Sequence, residues 1–369
     1  MAGGSGTRLR PLTHAMPKQL VPVANQPILH HVLNSIAAAN IQDIGIITNP
    51  ETAPQIEASV RAWQAQPEQS HPNKRPECVF IAQAKPLGLA HAVQCAQAFL
   101  GNAPFVMYLG DNLINVDLDA LLKAFLAAPE QAASLLLKHV EHPQQFGVAV
   151  LDDAGRVKQL IEKPKLPPSH LALVGVYLFR PAIFNAIAQI QPSARGELEI
   201  TDAIQKLIDL QHAVHAYIHP GWWLDTGKKD DLLQASQVVL SELTPKALPD
   251  DLSQTQSTLS GVIHLGRQCI LNHCTITGPV LIADHCTLNH VTIGPNTSIG
   301  HHAQLSHCTL QESVLLDHCQ INGWPARITH SLIGENVLLN GNAGVNITGN
   351  ALGEQQLVLA NDSRLDWQV

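Results

Sequence analysis

The 369-residue chain is poor in several things that other protein classes need. Charged residues make up only 14% against 45% hydrophobic, too apolar a balance for intrinsic disorder. No apolar run approaches the ~18–20 residues needed to cross a bilayer, the longest being Leu171 to Phe179, so no membrane association is expected. There is no excess of positive charge: 22 Lys and Arg face 30 Asp and Glu, a net charge of −8, which speaks against nucleic acid or an anionic membrane as partner. Any anionic ligand must be held by local cations. The seven cysteines are odd in number and include no Cys-x-x-Cys pair, so they form no disulfide framework. Met1 to Gly6 carry no apolar signal segment, and a reducing cytoplasm is the expected setting. Aromatics are 4%, while Gly and Pro number 24 each, so part of the chain is built from turns and small residues.

The length suggests two or three domains. From about residue 41 to 219, buried strands (Ile41–Thr48, Val79–Ala82, Phe105–Leu109) alternate with amphipathic helices (Pro27–Asn40, Leu87–Leu100, Leu118–Phe125). That rhythm predicts an α/β fold with a doubly wound, mainly parallel sheet. Further strands are predicted at Ser134–Val140, Gly147–Leu151, Ala172–Phe179 and Val214–His219, and a last helix at Lys228–Leu243. A polar, proline-containing stretch at 244–257 reads as a linker. Beyond it aliphatic residues recur every six positions at Ile270, Ile276, Ile282 and Leu288, then, after a slip of one, at Ile293, Ile299 and Leu305. This is the hexapeptide pattern of a left-handed parallel β-helix, expected over 258–341 and followed by a coil-rich segment at 342–369 with one strand at Leu357–Ala360. The first domain is expected to span 1–243.

The most specific segment is the first, Gly3-Gly4-Ser5-Gly6-Thr7-Arg8, followed by Pro17-Lys18-Gln19-Leu20. Glycines at this density let backbone N–H groups approach phosphate oxygens, and Arg8 and Lys18 supply cations. No Gly-Lys-Ser/Thr follows, so this is not a Walker loop. Leu9 stands at the third glycine position, so it is not a dinucleotide fingerprint. Asp111 follows the strand Phe105–Leu109, at the carboxyl edge of the sheet where open α/β folds bind ligands; alone it reads equally as a helix cap. With Asp225 it could hold a Mg²⁺ otherwise coordinated by phosphate and water.

With Gly88-Leu89-Ala90, Gly110-Asp111-Asn112, Phe146-Gly147-Val148, Glu162-Lys163-Pro164, Arg195 to Asp202 and Trp223-Leu224-Asp225-Thr226-Gly227, the chain resembles the sugar-1-phosphate nucleotidylyltransferases. Within them it is most similar to the long glucose-1-phosphate thymidylyltransferases, which append a β-helix. The resemblance implies transfer from dTTP to glucose 1-phosphate, giving dTDP-glucose and pyrophosphate. It places Mg²⁺ on Asp111 and Asp225, Arg8 at the departing pyrophosphate and Lys18 at the α-phosphate. Gly3, Gly4, Gly6, Thr7, Gln19, Gln83 and Gly88 would surround the nucleotide; an amide suits the N3–H and O4 edge of thymine or uracil. Lys163 would meet the sugar phosphate and Glu162 the sugar hydroxyls, with Gly147 and Gly175 leaving room for the pyranose. Arg195 reads either as a further phosphate or sugar contact or as the cation ordering its own loop through Glu197 or Glu199. UTP or another hexose 1-phosphate is the same-class alternative, since one methyl is worth only ~1–3 kcal/mol to a pocket. A non-catalytic nucleotide-sugar sensor is the different-class alternative.

His-Cys pairs recur at His273-Cys274, His285-Cys286, His307-Cys308 and His318-Cys319. They invite a metal site, but the register places the thiols at the small, inward position, where free Cys packs as a small hydrophobe, and turns each His outward. An acyltransferase activity, which such β-helices also house, has thin cationic support, with only Arg267, Arg327 and Arg364 after residue 256. A regulatory or homo-oligomerising role is expected instead. One feature departs from the family: relatives carry an apolar strand directly before the glycine loop, where this chain has only Met1 and Ala2. The loss would expose two strand edges, and the natural product is therefore expected to begin upstream of Met1, or the shorter form to be unstable.

Overall fold

The computed structural model describes residues 9–14, 16–66, 75–341 and 353–367. The chain divides into two compact units, one containing Ile28–Asp225 and one joining Ser5–Pro27 to everything from Thr226.

The first unit runs α1 (Ile28–Ala38), β1 (Asp43–Thr48), α2 (Ala53–Ala65), β2 (Glu77–Ala82), α3 (Leu89–Cys95), α4 (Gln97–Leu100), β3 (Phe105–Tyr108), β4 (Asn112–Ile114), α5 (Leu118–Leu126), β5 (Gln131–His139), β6 (Gly147–Leu151), β7 (Val157–Glu162), β8 (Leu171–Phe179), α6 (Ala182–Ile187), α7 (Ile200–Asp209), β9 (Ala213–Ile218) and β10 (Trp223–Asp225). The predicted alternation of strand and helix is present. The main sheet has the order β9-β5-β8-β6-β7, with β3 also on β8. β8, the uninterrupted apolar run of the sequence, is buried at every position, as a strand covered on both faces must be. The sheet is mixed: β9 runs parallel to β5, while β8 is antiparallel to β3, β5 and β6. β1 and β2 form a separate parallel pair. Helices cover both faces through periodic stripes. α7 buries Ile200, Ala203, Ile204 and Leu207, and α5 starts where the Asp117 carboxylate accepts the Ala120 N–H at 3.0 Å. Among the described residues no helix is long and apolar enough to cross a membrane.

In the second unit a short hairpin, Pro22–Val23 with Gln26–Pro27, is tied to helix α8 (Lys229–Ser241) by Ala24 N–H donating to Ser236 Oγ at 3.2 Å. Asn25 Nδ2 donates to the Ile299 carbonyl at 2.6 Å. The rest is a parallel β-helix with three inward columns. Leu271, Leu288, Leu305, Ile321 and Leu339 lie opposite one another in successive coils, with the exposed Leu365 pairing at the end of that column, and Ile276, Ile293, Leu310 and Ile328 form the second. Leu265, Ile282, Ile299, Leu315, Ile333 and Leu359 form the third.

This corrects the expected register at one position. Ile270 is 40% exposed and Leu271 fully buried, so Leu271 is the corner residue. The pairing of 271 with 288 and 288 with 305 gives 17 residues per coil. The corners therefore step by six, six and five, and the one-residue slip recurs in every regular coil. The ladder also begins at Ser253, inside the expected linker, and the described terminal residues continue it, with Val358–Leu359 and Arg364–Asp366 pairing on Leu332–Ile333 and Leu338–Asn340. Cys269, Cys274, Cys286, Cys308 and Cys319 are buried in the common core, each two residues before an inward aliphatic. Their histidine neighbours face outward, in two stacks: His273, His290 and His307 at centroid spacings of 4.5 and 4.8 Å, and His285, His302 and His318 at 4.8 and 4.9 Å.

Candidate active site

Three of the positions singled out follow the carboxyl ends of strands. Gln83 follows β2, Asp111 follows β3 and Lys163 follows β7. In the first unit, side-chain contacts and backbone hydrogen bonds link them into one continuous arc.

At one end are the carboxylates. β4 and β10 form a two-stranded ladder in which Asn112 lies opposite Asp225, so Asp111 and Asp225 reach the same end of it. Asn112 Nδ2 donates to Asp111 Oδ1 at 3.0 Å, and Asn112 Oδ1 accepts the Trp223 indole N–H at 2.6 Å. Trp223 meets the Phe146 ring edge-on at 5.0 Å, and the Phe146 carbonyl accepts the backbone N–H of Lys163 at 3.0 Å. Lys163 holds a left-handed backbone (φ 43°) that places its ammonium 3.3 Å from Glu162 Oε1.

Glu162 is the middle of the arc. Its Oε1 also accepts from Arg195 at 3.3 Å, and its Oε2 accepts the Thr201 hydroxyl at 3.2 Å. Arg195 reaches three carboxylates: Glu199 at 2.8 Å, Glu162 at 3.3 Å and Glu197 at 3.6 Å. Glu199 is buried and also accepts from Ser193 Oγ at 2.7 Å. Glu199 above all holds the Arg195 guanidinium above its ordinary pKa. Burial first, then the negative charge of Glu199 and Glu162, raises the Asp202 carboxyl. The same burial and Glu162 push up the Tyr177 phenol.

The arc ends at the loop 193–199. Leu198 N–H donates to the Leu87 carbonyl at 2.8 Å, and Ala90 N–H to Leu198 at 3.0 Å. Gly88 makes this possible: its φ is +101°, and a Cβ there would lie 2.5 Å from the Leu198 oxygen. Gln83 is buried, not at the surface as its type would suggest; its Nε2 donates to the Gly88 carbonyl at 3.0 Å and lies 3.0 Å from His91 Nδ1. The amide nitrogen is thereby committed, and Oε1 is the atom left to meet a ligand.

The spaces at two glycines are filled by the protein itself. A Cβ at Gly147 would meet Leu173 and Thr201 at 2.7 Å, and one at Gly175, with φ +83°, would meet Leu109 and Asn112. These glycines serve close packing around Glu162 and Asn112. In the second unit, Lys18 and Gln19 sit on a single 3₁₀ turn and are both buried; Gln19 Oε1 has no hydrogen-bond partner among the described residues. A buried acceptor in that state costs free energy unless a ligand satisfies it. Gly3, Gly4, Gly6, Thr7 and Arg8 lie outside the described residues. Sequence reasoning assigned no role to Asn112, Thr201, Ser193 or Trp223. All four lie inside or beside motifs that it quoted, but a neutral side chain that orients a neighbour has no signature of its own.

Comparison with known proteins bears on what this arc serves. The nucleotidyl transferase family matches residues 1–242. The low-salt glycan biosynthesis nucleotidyltransferase Agl11 of Haloferax volcanii is 46% identical over 246 residues, 67% of this chain and 66% of that protein. A glucose-1-phosphate thymidylyltransferase of Streptomyces antibioticus is 49% identical over 246 residues, 67% of each. The matched region thus spans about two thirds of these relatives. A Bacillus anthracis protein assigned as a glucose-1-phosphate thymidylyltransferase, solved in complex with a sucrose, superimposes with a TM-score of 0.58 at 30% identity, covering 67% of this chain and 95% of that one.

Proposed function

The chain belongs to the nucleotidyl transferase family, and on that premise we propose that it transfers a thymidylyl group from dTTP to glucose 1-phosphate, releasing pyrophosphate. The observation that carries this reading is the arc itself, with carboxylates for a hard cation at one end and a hydrogen-bonding carboxylate, Glu162, at its middle.

In the reaction a phosphate oxygen of the sugar phosphate attacks the α-phosphorus in line. The new P–O bond forms as the bond to the β-phosphate breaks, and the electron pair leaves with pyrophosphate. The nucleophile is already an anion, so no general base is needed, and the work of the protein is positioning and charge neutralisation. Lys163 would meet the attacking phosphate, and Glu162, steadied by Thr201, would accept from sugar hydroxyls. Lys18 would neutralise the α-phosphate and Arg8 the departing pyrophosphate. Arg195 would hold the 193–199 loop against Glu162. Gln83 Oε1 would accept the base N3–H, a contact available to thymine and uracil alike. Asp111 and Asp225 suit Mg²⁺: hard oxygen ligands, two in number, on one ladder end. Mg²⁺ would supply charge neutralisation on the nucleotide phosphates. A cytoplasmic setting fits the seven free cysteines and belongs to the same proposal, as does self-association through the β-helix.

The test is pyrophosphate release from the purified chain with glucose 1-phosphate and each of dTTP, UTP, ATP and GTP. Release with dTTP above the others is expected. Release with UTP alone would move the assignment to a uridylyltransferase, and binding without release would make the protein a sensor.

A further inference from the structure

The Gln83 amide is held from behind by two acceptors. Its backbone N–H donates to the Thr48 carbonyl at 2.8 Å, continuing the β1–β2 ladder and fixing where the side chain starts. An amide nitrogen carries two hydrogens. Within reach of Gln83 Nε2 are the Gly88 carbonyl at 3.0 Å, which also takes the Ala92 N–H at 3.2 Å as a bond of α3, and His91 Nδ1, again at 3.0 Å. His91 is half-buried on α3, and Cys95 Sγ, 3.9 Å from each ring nitrogen, is too distant to compete strongly for Nδ1.

A carbonyl oxygen can only accept, so Gly88 draws the amide nitrogen to its side. Nδ1 of His91 must then accept as well, which puts the ring proton on Nε2. Turning the amide over would set Oε1 against the Gly88 oxygen, two acceptors with no proton between them. One hydrogen bond to Gly88 would still let the amide swing about that contact, whereas two fix its plane. The consequence is a choice between base edges. A fixed Oε1 accepts from the N3–H of thymine or uracil, while cytosine presents an unprotonated N3 at that place and would oppose one acceptor with another. We propose that His91 is a positioning residue that locks the Gln83 amide with Oε1 forward and so excludes cytosine nucleotides, an inference that rests on the proposed contact between Gln83 and the base.

The test is equilibrium binding to the full chain by calorimetry, with Mg²⁺ and no sugar phosphate, of dTTP and 5-methyl-dCTP, which share the methyl group and differ only at the N3 and C4 edge. The parent is expected to favour dTTP by at least about a hundredfold. His91→Leu should cut that ratio about tenfold, the worth of one of the two hydrogen bonds that hold the amide. His91→Met serves the same purpose should the leucine variant lose its cooperative melt. His91→Asn, whose Oδ1 stands near the place of Nδ1, should keep the ratio within about twofold of the parent's. Gln83→Leu should lower the ratio by itself, and adding His91→Leu should then move it by less than about twofold, because His91 acts through the amide. An unchanged ratio in a cooperatively melting His91→Leu or His91→Met chain, with a parent that discriminates, would overturn this inference and leave the proposed reaction standing. So would a further fall when His91→Leu is added to Gln83→Leu, which would make His91 a contact of its own, or loss of the cooperative melt in both apolar variants, which would make it a structural residue. Equal binding of the two nucleotides to the parent would overturn the inference alone. No binding of dTTP to the parent would overturn the proposed reaction and this inference together.

Discussion

Trp223 donates its indole N–H to Asn112 Oδ1 at 2.6 Å, and this fixes which end of the Asn112 amide faces Asp111. With the oxygen taken by the indole, the NH₂ group points to the Asp111 carboxylate. Trp223→Phe removes the donor and leaves a buried acceptor unpaired, at about 1–3 kcal/mol. Turnover should fall roughly tenfold, and the Mg²⁺ concentration for half-maximal rate should rise; a metal titration of the variant checks both.

Asp111→Asn and Asp225→Asn each keep the shape of the ladder end and remove a charge. Each should lower turnover by about 10²–10³ while the thermal unfolding midpoint stays close to the parent's. Lys18→Ala is expected to behave alike. Near-normal pyrophosphate release in any of the three would remove that residue from the proposed machinery.

Arg195 has its guanidinium among three carboxylates, and without it the buried one, Glu199, is left with the hydrogen bond from Ser193 Oγ. Arg195→Ala should therefore cost about 1–3 kcal/mol in urea unfolding with no substrate present. Arg195→Lys should recover only part, because an ammonium cannot span the same carboxylates as a planar fork. Unchanged stability with a raised KM for glucose 1-phosphate would instead make Arg195 a substrate contact.

His30 carries a pH dependence of its own. Burial lowers its pKa to about 4, partly opposed by its hydrogen bond to the Ser59 carbonyl. A folded pKa below the unfolded value of about 6.5 means that the unfolded chain binds a proton first as the pH falls. Stability is fully present above pH 6.5 and declines between 6.5 and about 4, by about 3 kcal/mol at most. Urea titrations across that window should show the slope, and His30→Gln should flatten it.

The β-helix register gives a sharp contrast between neighbours. Leu271→Ala empties a fully buried corner and should cost about 2–5 kcal/mol, whereas Ile270→Ala, at a 40% exposed site, should stay within about 0.5 kcal/mol. The reverse order would restore the strict six-residue spacing.

What the sequence made legible follows the same physics. Continuous apolar runs such as Leu171–Phe179 announce buried strands because nothing else buries both faces of a segment that short. Periodicity failed by one residue at Ile270-Leu271, where two adjacent aliphatics satisfy the pattern equally and only the strand pairing decides between them. Chemistry-bearing residues in the quoted motifs were legible as candidates. Their partners were not: Thr201, Ser193 and Asn112 act by where they sit, and the burial of Gln19 and Gln83 runs against the ordinary preference of their type.

The 17-residue coils between Ser253 and Leu310 make this stretch of the protein modular in length. Each of these coils pairs only with the one before and the one after, and their inward columns repeat at 17 residues, whereas the later coils take 16 (Leu305 to Ile321) and 18 (Ile321 to Leu339). Excising Thr287 to Ala303 would join Cys286 to Gln304 with Leu288 and Ile293 replaced in their columns by Leu305 and Leu310, in the same phase. Evolution, or a designer, can therefore shorten or lengthen this stretch by whole coils without disturbing the columns on either side.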